Sequence, residues 1–178
     1  MRANLTRVLT AVAFLTLVSV PAFAANPATI SVTVTIQNLS VSTSGPIAFG
    51  TVVAGSQTVS GGASTVTNDG NVTETYSLSL TNPSTWTAVQ AAPSSAEEYA
   101  LSAQFNGTAP TAGSFSYSNH ALSITPATSS ASKFAGDQTG LSVTSGGVRS
   151  LWFRFNAPTS TSVTTQQNIT VTITAQAG

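Results

Sequence analysis

A two-residue beat near both ends of the chain constrains its fold more than any other feature. Ile30, Val32, Val34 and Ile36 alternate with Ser31, Thr33 and Thr35, and Ile169, Val171, Ile173 and Ala175 alternate with Thr170, Thr172 and Thr174. Successive side chains of a strand point to opposite faces, so the pattern predicts half-buried β-strands with one apolar and one hydroxyl face. A terminal strand either completes its own sheet or pairs with another molecule. The C-terminal strand is expected to sit in the core. The N-terminal strand is the one expected to leave its own sheet and join another.

Residues 1–24 have the three parts of a secretory signal. Arg2 and Arg7 form a basic start, an apolar run extends from Val8 to Val20, and Ala22-Phe23-Ala24 supplies the small-residue cleavage site, with cutting expected before Ala25. The apolar run is shorter than the roughly 20 residues of a spanning helix. The mature chain is therefore expected to be secreted, extracellular or at the cell surface, with no membrane span. Its 154 residues, of 178 in all, suit one domain, and its three cations against five acids leave a net charge of −2. A basic footprint for nucleic acid or anionic lipid is missing. There is no cysteine, so stability must come from packing and backbone pairing. Abundant Ser and Thr are read as the wet faces of strands.

Along the chain, Gly45-Pro46 punctuates and residues 47–53 form a second extended piece with Phe49 available to the core. Asn68-Asp69-Gly70-Asn71 reads as the turn of a hairpin whose second strand carries Tyr76, Leu78 and Leu80. Trp86 is expected to cap or plug the core. Tyr99, Leu101, Ala103 and Phe105 resume the beat. Phe115, Tyr117, Leu122 and Ile124 are assigned to one or two short strands, and residues 127–140 to a loop around Phe134. Leu151-Trp152-Phe153-Arg154-Phe155 is the densest apolar strand, with Trp152 and Arg154 on the face opposite Leu151, Phe153 and Phe155. Short strands broken by Gly, Pro and Asn, with no helical period of useful length, predict an all-β fold: a single immunoglobulin-like or jelly-roll-like β-sandwich of antiparallel strands over residues 25–178, in which residues 25–37 form an exchangeable N-terminal strand.

Within residues 47–80, Ile47-Ala48-Phe49-Gly50-Thr51-Val52-Val53-Ala54-Gly55-Ser56 followed by Val66-Thr67-Asn68-Asp69-Gly70-Asn71 resembles the opening of secreted bacterial immunoglobulin-like domains of the sperm-protein-like type. The layout is also similar to that of camelysin and TasA-type matrix fibre subunits. The resemblance implies a secreted sandwich and, through the fibre subunits, a structural role. By analogy with pilins that share strands between subunits, residues 30–36 have the alternation needed to pair with a neighbour's open sheet edge. The disulfide common in many chaperone-assembled pilins is missing.

Catalytic chemistry finds little support. The single histidine, His120, lies in Ser118-Asn119-His120-Ala121 with no spacing that marks a triad, and it is read as a solvated turn residue. One His, no Cys and scattered acids do not form a zinc-ligand set, and no cofactor motif is present. Adjacent Glu97 and Glu98 would point to opposite faces of a strand and fail to converge on one bond. The expected function is that of a non-enzymatic structural subunit of a cell-surface fibre, pilus or extracellular matrix, self-associating through Ile30, Val32, Val34 and Ile36. The alternative is a carbohydrate-binding or adhesin module for cell-surface glycans, with Trp152 and Arg154 as its aromatic face and Tyr117 or Trp86 as further stacking groups; the Trp152 and Arg154 face equally fits the second covered face of a central strand.

Overall fold

The computed structural model describes residues 27–178. The proposed signal, residues 1–24, lies outside the described residues. The chain divides into two units, Met1–Thr35 and Ile36–Gly178. In the first, residues 27–35 enter no strand ladder. The N-terminal strand expected from the alternation thus pairs with no other strand among the described residues.

The second unit is a β-sandwich. One sheet has the order β1 (Val41–Thr43), β3 (Ser64–Asn68), β8 (Val148–Asn156), β6 (Glu98–Phe105) and β5 (Thr87–Ala88), with β2 (Gln57–Val59) beside β3 on the same edge of β8. The other has the order β7 (Ala127–Thr128), β4 (Glu74–Thr81) and β9 (Thr170–Ala177). All pairings are antiparallel except the short β5–β6 contact. The chain order β1-β3-β8-β6 in one sheet and β4-β9 in the other occupies the A-B-E-D and C-F positions of a constant-type immunoglobulin sandwich. The G position, beside β9, is vacant among the described residues.

Alternation builds the core as expected. Leu101, Ala103 and Phe105 on β6 stand opposite Phe155, Phe153 and Leu151 on β8, and Tyr76, Leu78 and Leu80 on β4 close over them from the second sheet. Three features differ from the expectation. Asn68 to Asn71 turns the chain from one sheet to the other, so β3 and β4 are not a hairpin; the same turn residues serve both connections. Phe115, Tyr117 and Leu122 lie in no strand but around a 3₁₀ turn, Ala112–Ser114, and a one-turn helix, α1 (Tyr117–His120), capped by the Ser116 side chain. The connection from β6 to β8 covers sheet faces that the Ser/Thr content suggested would be wet. Ser77 and Ser102 are buried on those faces. Phe134 anchors this connection, fully buried with φ of +59°.

Candidate functional site

Among the described residues the sandwich is open along one side. Val171, Ile173 and Ala175 on β9 point toward the core, as expected of a strand that sits there, but their inward side chains are only half-buried. Facing them, residues 45–54 connect two tethered points. Ser44 donates its N–H to Thr65 O, and Gly55 to Pro158 O. Between these points residues 45–52 take part in no backbone–backbone hydrogen bond among the described residues. Ile47, Phe49 and Val52 turn inward from this segment, also half-buried. The result is a groove of about 1090 Å³ between residues 45–54 and residues 163–173.

Its floor is the inner face of β8 and β6, including Leu101, Leu151, Phe153 and Phe155. Phe155 gathers Phe49, Trp86 and Tyr99 within 6.0 Å between ring centroids, so Trp86 packs on the core and lines the groove at one end. That end is also held by Glu97, whose φ is +61°. Its carboxylate accepts hydrogen bonds from the Thr161 hydroxyl and from the Ser162 N–H and hydroxyl, and these hold its pKa below the ordinary range. Among the described residues no Asp, Glu, Lys or Arg lines the groove. Both walls offer apolar side chains and unpaired backbone, the surroundings of a β-strand and not of a charged ligand.

The free edge of β9 can be assigned residue by residue. Tyr76 and Leu80 of β4 donate their N–H groups to Gly140 O and Ser123 O, away from β9. The alternate residues Thr75, Ser77, Ser79 and Thr81 therefore bond to Gln176, Thr174, Thr172 and Thr170. Val171, Ile173 and Ala175 are left with backbone groups directed at the vacant side. Edge strands are ordinarily blunted by charge or proline, and β9 carries neither.

At the opposite pole, the turn between β3 and β4 grips the start of the second unit. Asn71 Nδ2 donates to Ile36 O and Asn71 Oδ1 accepts from Asn38 N–H, each at 2.8 Å, while Ser40 N–H donates to the buried Glu74 Oε1 at 2.7 Å. The residues just before this anchor are the alternating ones. Ile30, Val32, Val34 and Ile36 are 89, 81, 78 and 76 % exposed, an unusual placement for a regular apolar row.

The other candidate residues are engaged in packing. The exposed-patch reading of Trp152 and Arg154 is corrected: Arg154 is 4 % exposed and Trp152 half-buried, because the 3₁₀ turn and α1 fold over that face of β8. Arg154 Nη1 donates to Ala112 O and Phe115 O, and the guanidinium lies 4.7 Å from the Tyr117 ring centroid. Trp152 Nε1 donates to Asn106 O at 2.9 Å. His120 is buried as well, not solvated. Its Nδ1 accepts from Ser116 N–H and its Nε2 faces Ala135 O at 3.0 Å, which assigns the proton to Nε2. Burial lowers its pKa. Burial also raises that of Tyr76 to about 12. Among the described residues no three His, Asp or Glu side chains are grouped to hold a metal.

Comparison with protein families, curated proteins and solved structures returned no match to this chain. The groove itself was not legible in the sequence, although its parts were. The only signal that could have found it was the count of strands: six of the seven immunoglobulin positions are filled in order, with one apolar alternating segment left over.

Proposed function

We propose that the protein is a non-enzymatic, secreted structural subunit of a cell-surface fibre, pilus or extracellular matrix, assembled by β-strand pairing between copies. One observation carries the reading: a sandwich with an unpaired edge and an open apolar groove belongs to the same chain as an unpaired, exposed apolar strand sequence. Each feature alone is a solubility liability. Together they are complementary. The absence of charge from residues 27–37 and from β9 supports the same reading, since charge is what usually prevents edge-to-edge association. The resemblance of residues 47–80 to fibre-subunit domains agrees with it.

Negative-stain microscopy and light scattering of the purified protein test the proposal. Filaments or a ladder of oligomers are expected as concentration rises. A monodisperse monomer at high concentration, with residues 30–36 protected within it, would refute it.

A further inference from the structure

We infer that residues 30–36 of a second copy enter the groove as the missing seventh strand, running antiparallel to β9, with Ile30, Val32, Val34 and Ile36 facing the core. The inference rests on the proposed strand-pairing function and specifies its geometry. The N–H and C=O groups free on β9 belong to Val171, Ile173 and Ala175, whose side chains also face the core. Directly opposite residues of an antiparallel pair share a face. A strand bonding to these groups must therefore present its own apolar row inward at every second residue. Residues 30–36 do so over the same length as residues 169–175: four apolar positions across six steps, about 20 Å at about 3.3 Å per residue. Full overlap places Ile30 opposite Ala175, Val32 opposite Ile173, Val34 opposite Val171 and Ile36 opposite Ile169.

Chain polarity distinguishes a second copy from the chain's own strand. β9 runs toward the β3–β4 turn, where Ala177 lies opposite Glu74 and Gly178 N–H bonds Thr73 O. The anchor at residues 36–40 grips that same turn, so the strand's root lies at the pole where β9 ends. The groove reaches the other pole, where Pro158, Val163 and Gln167 line it. A strand rooted in the same subunit would have to run parallel to β9. One rooted in a subunit stacked on the far pole keeps its root there, reaches toward Ala175 with its tip and so runs antiparallel, the sense of the F and G strands of an immunoglobulin sandwich and the more stable pairing. Subunits then stack head to tail, each completing the next, a heterologous contact that propagates as a filament.

The two polarities predict different neighbours on the outer face. Antiparallel insertion sets Ser31 opposite Thr174; parallel insertion sets it opposite Thr170. The antiparallel pair is a non-hydrogen-bonded one with Cα atoms about 4.5 Å apart, and parallel neighbours lie about 4.8 Å apart, so both fall within the roughly 4.4–6.8 Å that a disulfide spans. The chain has no cysteine to compete. The test is mild oxidation of the full chain carrying Ser31→Cys with Thr174→Cys, and separately Ser31→Cys with Thr170→Cys. A covalent, reducible ladder from the first pair and none from the second is expected. Mixing the two single variants, Ser31→Cys and Thr174→Cys, should give a cross-linked heterodimer, which only exchange between chains can produce. Cross-linking of the second pair within one chain would overturn the inference, placing the subunit's own strand in the groove. Filaments that form while neither pair cross-links would also overturn it, while leaving the fibre role standing. Loss of the fibre role itself is read separately, as the absence of any oligomer from the unmodified protein.

Discussion

Replacing Val32 and Val34 together by threonine separates a strand used between molecules from one used within a molecule. Threonine keeps the β-branched shape and the strand preference of valine, exchanging one methyl for a hydroxyl. In the free protein both positions are about four-fifths exposed, at 81 and 78 %, so the change happens in water. Surface substitutions of this kind stay within about 0.5 kcal/mol. Inside the groove the same hydroxyls would face Ile173, Val171 and the aromatic floor with no hydrogen-bond partner. Burying an unpaired hydroxyl costs about 1–3 kcal/mol on the protein mutational scale. Two sites sum to about 2–6 kcal/mol, equivalent to an association weakened about 30-fold to about 10⁴-fold. Sedimentation velocity over a concentration series reads the association, and thermal melts of the dilute monomer read the fold. The variant should melt with the unmodified protein and assemble only at much higher concentration. Thr33→Val, on the outer face, should leave the groove contacts intact. If Val32→Thr/Val34→Thr destabilises the monomer, or assembles at the unmodified protein's concentrations, the strand-exchange reasoning fails.

Three further outcomes concern the body of the sandwich. Arg154→Ala strips the buried Phe115 carbonyl of its donor and leaves Ala112 O with only the Phe115 N–H; at about 1–3 kcal/mol for the buried group left unpaired, urea unfolding should shift clearly and proteases should gain access to residues 112–120. Gly70→Ala would drive a methyl against Asn38 O at 2.5 Å, a backbone atom that cannot swing aside, and against Glu74 Oε1; a loss of about 1–3 kcal/mol is expected in urea unfolding. Burial, reinforced by Lys133 and Arg154, holds the folded-state pKa of His120 below its ordinary 6.5. The unfolded chain therefore binds the proton first. Stability is complete above about pH 6.5 and falls as the pH drops toward the folded pKa; His120→Gln should remove that part of the slope in melts between pH 5 and 8.

Much of the fold was legible because alternation is a local property. The inward rows of β4, β6, β8 and β9 are the rows that periodicity picks out, and they meet as the core. What covers a strand's other face is not local. Trp152 and Arg154 were placed correctly opposite Phe153, yet only the long excursion between β6 and β8 decides that this face is dry. The small polar residues of that excursion carry no period. Turn chemistry was equally blind to destination: Asn68 to Asn71 suits a hairpin or a sheet crossing. For the groove, the sequence named the half-buried strand at residues 169–175 and the inward Phe49, but a vacancy between them leaves no residue to read. Its trace was the strand count, which leaves over one alternating segment, at residues 30–36, that resembles residues 169–175.

Amide hydrogen exchange on the β9 edge tests the central claim most directly. In the dilute monomer the N–H groups of Val171, Ile173 and Ala175 face the vacant side and should exchange rapidly, while that of Tyr76 in β4, bonded to Gly140 O, exchanges slowly. On assembly those three amides, together with residues 30–36, should slow toward the rate of β4. Edge amides that stay fast in the assembled protein, or that are already protected in the monomer, would contradict the account.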